Sequence, residues 1–330
     1  MARHVARIAV AGLLAAFAAA AVLAWGFAEY MRPGPLSSEA VVVIPSGTSV
    51  DSIANGLGEV GVLAEPRVFT AAVGLMGVGA SLRAGEYAFA PGISPREVLD
   101  LLRNGRTVVR RLTIVEGLTV AEVMRQLLAT EGLMGEVGTV PGEGSLLPET
   151  YHFSYGDSRD AMIARAASAM AETVDELWAR RAPALPLADA REAVILASLV
   201  EKETAREDER ARIAGVFVHR LRRNMKLQSD PTVAYALTSG DGPLARSLGG
   251  DDLATVSPYN TYIVRGLPPA PICNPGRASL RAAMNPLETD ELYFVADGDG
   301  GHAFARTYAE HRRNVARWRK TRGQHSDSGS

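Results

Sequence analysis

A single cysteine, Cys273, stands in a chain of 330 residues, so no internal disulfide can form and no disulfide scaffold carries the fold. The chain has no Cys-x-x-Cys pair, no His-Glu-x-x-His and no Gly-x-Ser-x-Gly. Zinc-site, metalloprotease and α/β-hydrolase chemistry therefore lack their usual signatures, and nothing calls for a metal or an organic cofactor. An excess of positive charge is also missing. The 35 Lys and Arg against 37 Asp and Glu leave a formal net charge of -2, which argues against a nucleic-acid partner. What the chain does have is a hydrophobic fraction of 47%, enough for a sizeable core in one to three domains.

The longest uncharged run is Ile8 to Ala28, 21 residues preceded by Arg3, His4 and Arg7. As a helix it would span about 31 Å, enough for a hydrocarbon core of about 30 Å. Pro33-Gly34-Pro35 ends it. Positive residues on its N-terminal side predict a cytoplasmic N-terminus with everything after residue 33 exported. Small residues in the run leave a cleaved leader as the alternative, but leader cores are shorter, so the spacing favours a retained single-pass anchor over residues 1–33.

A short pattern then occurs twice. Val41 to Ile44 precedes Gly47-Thr48-Ser49-Val50 and Ile53, Leu57 and Leu63. Val108 to Val115 precedes Gly117-Leu118-Thr119-Val120 and Val123, Leu127 and Leu133, with positions from the glycine onward 70 residues apart. Each copy predicts strand, tight turn and capped helix. Thr119 and Glu122 form a capping box, as do Ser94 and Glu97 around a third helix that opens with Pro95. Such strand-helix units over 34–134 resemble LysM-like modules, which in other proteins bind the sugar chain of peptidoglycan. Packing units of an α+β spacer would show the same pattern.

From Ala193 to Val200 eight residues are apolar or small, and Glu201, Lys202 and Glu203 follow at once. A run apolar on all sides predicts a buried helix. A carboxyl emerging from it is expected to be partly desolvated, and desolvation favours the neutral form that can donate a proton. An ion pair at the point where the helix surfaces is the other reading of Glu201. Glu203, two residues on, points to roughly the opposite side of a regular helix, so the two should not form a carboxylate pair and Glu203 is expected to brace the site or an Arg. Beyond the helix, Asp208 and Arg212 have i,i+4 spacing. Asp230-Pro231 predicts an irregular but stiff segment after Gln228. Tyr259-Asn260-Thr261-Tyr262 and Gly266 to Pro269 are loops of the kind that shape a surface. Leu292 to Ala296 reads as a buried strand, Asp297 to Gly301 as a hairpin turn, and Thr307 with Glu310 as the cap of a last helix. Residues 321–330 form a polar tail expected to be disordered.

LASLVEKETAREDER, LQSDPTVAYAL, SPYNTYIVRGLPPAPICNPG, ELYFVADGDGGHAF and TYAEH, with LLPETYHF before them, together resemble the endolytic murein transglycosylase, or YceG-like, family over nearly the whole chain after the anchor. Ala270 departs from the glycine expected between prolines, and Cys273 occupies a variable site. The resemblance implies an α+β protein: one transmembrane helix, LysM-like units over 34–134, and a mixed α+β catalytic domain over 135–320 that cuts peptidoglycan glycan strands internally. It places the catalytic glutamate at Glu201. The residue types themselves make Glu203, Gln228, Asp230, Asn260 and Tyr262 the substrate-binding candidates, since tyrosines and amide side chains suit a sugar and the two carboxylates lie near the site. It also implies work beside membrane-bound peptidoglycan synthases. A lysozyme-type hydrolase and a non-catalytic peptidoglycan-binding scaffold are the competing functions.

Overall fold

The thirty-residue helix α1 (Ala2–Met31) opens the computed structural model, which describes residues 2–327, with side chains from 6 to 320. Within it, Ala6–Met31 is long and apolar enough to cross a membrane, and its side chains are almost all exposed. The chain divides into two compact units, the first comprising Met1–Arg110 with His152–Asp157 and the second Arg111–Tyr151 with Ser158–Ser330. Residues 111–134, read from the sequence with the LysM-like region, thus lie in the second unit.

In the first unit β1 (Ala40–Ile44) pairs antiparallel with β2 (Gly85–Phe89), Val42 opposite Tyr87. Between them run α2 (Val50–Glu59) and α3 (Pro66–Met76), and α4 (Pro95–Asn104) follows. Ser49 caps α2 by accepting the Ser52 N–H, and Ser94 with Glu97 closes the expected capping box on α4. The core is built from Leu57, Phe69, Tyr87, Phe89, Leu99 and Leu102, all nearly inaccessible. Tyr30 of α1 belongs to it.

β3 (Arg110–Thr113) and β4 (Thr150–Phe153) form a two-stranded ladder, and the chain passes between the units within each of them and again after Asp157. In the second unit α5 (Val120–Ala129) carries the Thr119–Glu122 capping box. Next come α6 (Arg159–Ala179), α7 (Ala190–Glu203), α8 (Glu207–Arg222), α9 (Asp230–Thr238) and α10 (Arg277–Met284). A hairpin of β5 (Tyr293–Ala296) and β6 (His302–Ala305) and helix α11 (Tyr308–Asp327) finish the chain. The centre is α7, packed against α6, α8, α9 and α10, with Ala193 and Ile195 to Val200 buried. The apolar run is thus a core helix, as its all-round pattern predicts.

Three local expectations are corrected. Asp208 does not pair with Arg212: it meets Arg206 at 2.7 Å, and Arg212 reaches Glu291 of another segment. Asp230-Pro231 is not irregular but opens α9, because a proline in the first turn removes an N–H that has no intrahelical acceptor anyway. β5 is only half-buried, and its residues Tyr293 to Ala296 line a groove. Helix α11 extends to Asp327, into the expected tail; residues 328–330 lie outside the described residues.

Gly215 of α8 shows how tightly this unit is packed. A Cβ there would lie 2.2 Å from the Leu287 carbonyl oxygen, and that strand of chain is pinned to α8 by the Leu287 N–H donating to Ala211 O at 2.8 Å. Backbone held this way cannot retreat. Gly215→Ala is expected to lower the free energy of unfolding by about 1–3 kcal/mol, the overpacking cost outweighing the helix-propensity gain of about 1 kcal/mol. Urea unfolding of both proteins checks this; an unchanged midpoint would show that the contact yields freely.

Candidate active site

Two carboxylates leave the end of α7 in different directions. Residues two apart on a helix are rotated by about 200°, so Glu201 and Glu203 serve different surroundings. Glu201 turns toward α10. Its Oε2 accepts the N–H of Gly276, the N-cap residue of α10, at 2.9 Å, and its Oε1 lies 3.5 Å from Arg210 Nη2. The same guanidinium nitrogen is 3.5 Å from Glu116 Oε2. A Cβ at Gly276 would lie 1.9 Å from Glu116 Oε1, so a larger residue there would push the Glu116 side chain out of this cluster. The surroundings of Glu201 are therefore an arginine and a helix N-terminus rather than the apolar enclosure expected from the sequence. The ion-pair reading of Glu201 describes this geometry.

Glu203 turns the other way, into a groove of about 460 Å³. Arg220, Gln228, Asp230, Tyr262, Tyr293, His302 and Trp318 are among its other lining residues; Glu201 is not. Glu203 is half-buried, and the hydroxyl of Ser229 donates to its Oε1 at 2.5 Å. Burial pushes the Glu203 carboxyl up to about 7. The Ser229 hydrogen bond opposes that shift and the Asp230 charge adds to it, while His302 and Arg220 pull the other way.

The floor under this carboxyl is rigid. Ser229 is held by its N–H to Thr261 Oγ1 at 3.0 Å, and the Thr261 and Thr232 hydroxyls meet at 2.9 Å. These buried bonds tie the start of α9 to the loop at 257–264. Gln228 just before it has a φ of 53°, a left-handed backbone uncommon for a non-glycine residue. That strain is held by its N–H bond to Thr261 O and by Arg220 Nη1 reaching its Oε1 at 3.4 Å. Arg220 is buried and satisfied by backbone carbonyls, with Nε to Leu292 O at 2.5 Å and Nη1 to Leu227 O at 2.7 Å. Desolvation lowers its pKa from the usual arginine value. On the far side, Glu209 accepts from the His302 N–H at 2.9 Å and contacts His302 Nδ1 at 2.7 Å, which fixes the imidazole ring.

Asp230 and Tyr262 meet through a 2.6 Å bond from the tyrosine hydroxyl to Oδ1. Asp230 also lines a second cleft, of about 320 Å³, together with Lys202, Tyr235 and Arg246. The structure thus gathers Glu203, Gln228, Asp230 and Tyr262 in one groove and leaves Asn260 out of it. Asn260 is fully buried. Its Nδ2 donates to Leu253 O and Thr255 O, and its Oδ1 accepts from the Tyr262 N–H. It is a loop-shaping residue with no amide atom left for a ligand. Arg220, Ser229, Tyr293 and His302 were missed by reasoning from sequence, although each lies in or beside a segment singled out there. Among the described residues no group of three His, Cys, Asp or Glu is arranged for a metal ion.

The YceG-like family profile matches residues 42–317. The chain is 31% identical over 304 residues to the endolytic murein transglycosylase of Bacillus subtilis strain 168, covering 81% of each chain. It is 29% identical over 324 residues to the endolytic murein transglycosylase of Streptococcus pneumoniae strain D39, covering 83% of this chain and 57% of that one. The 2.6 Å crystal structure of a YceG-like protein from Listeria monocytogenes superposes with a TM-score of 0.51 at 30% identity, over 84% of this chain and 99% of that one. On the extent of these matches, which take in both carboxylates of α7 and all of the groove but Trp318, the chain belongs to the YceG-like family.

Proposed function

We propose that this protein is an endolytic murein transglycosylase, a lyase that cleaves the bond between N-acetylmuramic acid and N-acetylglucosamine inside peptidoglycan strands, and that Glu203 is its acid. The observation that carries the site assignment is the Glu203 carboxyl in the groove, pushed up to about 7 by burial and held by Ser229. The sequence reading gave this role to Glu201. Its engagement with Gly276 and Arg210, away from the groove, favours a bracing role there and moves the acid two residues on.

Glu203, neutral in part at pH 7, donates its proton to the bridging oxygen as the anomeric carbon takes on oxocarbenium character. The 6-hydroxyl of the same muramic acid then attacks that carbon and closes a 1,6-anhydro ring, giving its proton back to the Glu203 carboxylate. The nucleophile is already attached, so little entropy is lost in placing it and no second carboxylate has to activate water. Asp230, bonded to the Tyr262 hydroxyl, sets the polarity of the groove and, by its charge, helps keep Glu203 protonated. Tyr262, Tyr293 and Trp318 offer faces for sugar rings. Cutting within a strand requires room for sugars on both sides of the acid. The groove and the second cleft, which share Asp230, supply it.

The strand-helix units of 34–134 act in this reading as LysM-like contacts for glycan. Helix α1 acts as a single-pass inner-membrane anchor with the cytoplasmic N-terminus implied by Arg3, His4 and Arg7, and the enzyme works on the outer face beside membrane-bound peptidoglycan synthases. Digestion of purified sacculi by the full chain is expected to give muropeptides ending in anhydro sugars, one water lighter than reducing ends by mass spectrometry. Reducing ends would convert the reading to a hydrolase, and no release at all to a binding protein. In the same assay Glu201→Gln is expected to keep turnover within about tenfold of wild type while losing about 1–2 kcal/mol of stability with the Arg210 ion pair.

A further inference from the structure

We propose that the first unit is seated in the bilayer rather than suspended from it: the C-terminal part of α3 and the turn after it enter the outer leaflet beside α1, and lipid acyl chains fill the cavity between the two helices. This rests on the reading of α1 as a membrane span. Three observations carry it.

First, α1 passes into the fold without a linker. Tyr30, in its last turn, is 8% exposed and part of the unit's core. Four residues later the Gly34 N–H donates to Gly92 O and Ile93 O at 3.2 and 3.1 Å, and a Cβ at Gly34 would sit 2.5 Å from Ile93 O. The orientation of the span therefore fixes that of the unit.

Second, α3 buries Val68, Phe69 and Val73 in the unit's core, but its C-terminal end is apolar and lies open. From Val68 to Leu82 fifteen residues carry no charge, bounded by Arg67 and Arg83. Leu75 is 83% exposed and Met76 50%. A largely apolar cavity of about 680 Å³ is lined on one side by α1 residues from Val22 to Tyr30 and on the other by α3 residues up to Met76, with Glu65 and Arg67 at the N-terminal end of α3 as its charged members. Exposed apolar surface of this extent marks an interaction site.

Third, the depth agrees with a bilayer. If the uncharged run ending at Ala28 fills the hydrocarbon core, Val22 lies six residues inside its edge, about 9 Å at 1.5 Å per residue. Interfacial helices bury their apolar faces by about 5–10 Å. The part of α1 that borders the cavity is thus already at acyl-chain depth. The exposed Trp25 falls toward the interface, where amphipathic rings are favoured, and Arg67 and Arg83 mark the two ends of the run at headgroup level.

The test uses the full chain in phosphatidylethanolamine–phosphatidylglycerol vesicles, with an environment-sensitive fluorophore on one introduced cysteine; Cys273 is buried and does not compete. Leu75→Cys and, as a second position, Met76→Cys report α3, Leu14→Cys reports the middle of α1, and Val256→Cys reports exposed surface of the second unit. With nitroxide on the lipid acyl chains, quenching at 75 and 76 is expected to lie within about twofold of that at 14, with almost none at 256. If 14 is quenched while 75 and 76 behave like 256, the span stands and the seating proposal falls. If 75 and 76 escape lipid quenching because the chain dimerises through them, a second copy covers the face and the proposal also falls. Absence of quenching at 14 overturns the span reading and this proposal with it.

Discussion

Glu203→Gln is expected to lower turnover on purified sacculi by about 10²- to 10⁴-fold, the range supplied by a positioned general acid, with substrate binding little changed. The substitution keeps the side-chain volume and leaves an amide oxygen for the Ser229 hydroxyl that now bonds Oε1. What it removes is the transferable proton. Because Glu201→Gln is expected to cost far less, the pair of variants separates two residues that stand two positions apart on α7. Equal and complete loss in both would mean that the cluster of Glu201, Arg210 and Glu116 takes part in the chemistry. Full activity in Glu203→Gln with loss in Glu201→Gln would return the acid role to the residue first indicated by the sequence.

The second large effect is on pH dependence. Burial raises the Glu203 carboxyl from its usual 4.5 to about 7. Between these values the folded protein holds a proton that the unfolded chain has released, so the free energy of unfolding falls as pH rises through this window and is level above it. The contribution is present in full below about 4.5 and lost by about 7 to 8. A shift of this size corresponds to about 3 kcal/mol, and to about 1–3 kcal/mol once solvent access to the half-buried side chain is allowed for. Glu203→Gln cannot ionise. It is therefore expected to gain stability relative to wild type as pH rises from 5 to 8, by that amount, in urea unfolding with an unchanged slope. Parallel pH profiles would show that the carboxyl is not held neutral. Activity should follow the same proton: above 7 the protonated fraction, and with it the rate, drops about tenfold per pH unit.

Much of the local structure was legible because it depends on neighbours in sequence. The capping boxes at Ser94–Glu97 and Thr119–Glu122, the buried stretch of α7 and the β5–β6 hairpin each rest on spacings within a turn or two. The gathering of Gln228, Asp230 and Tyr262 with an α7 carboxylate was anticipated from the stiff, polar segments that carry them. The choice between Glu201 and Glu203 was not legible. Both follow the same apolar run, and their difference is the direction in which a helix end presents them to partners 26 and 75 residues away, Ser229 and Gly276. Arg220 and His302 escaped for a related reason. A buried arginine bonded to carbonyls and a histidine oriented by Glu209 have no local signature. The burial of Asn260 outside the groove was not legible either, because an amide that closes a loop and an amide that grips a sugar are the same residue in a sequence.

By itself the sequence determined the apolar helix at the N-terminus, the α+β character, the core helix and the segments from which a groove would be made, since periodicity and capping act over a few residues. Only the tertiary structure decided which acid faces the groove and which braces α10. That outcome depends on the dielectric and the hydrogen-bond donors met by each carboxyl, and these are supplied by chain segments far apart in sequence.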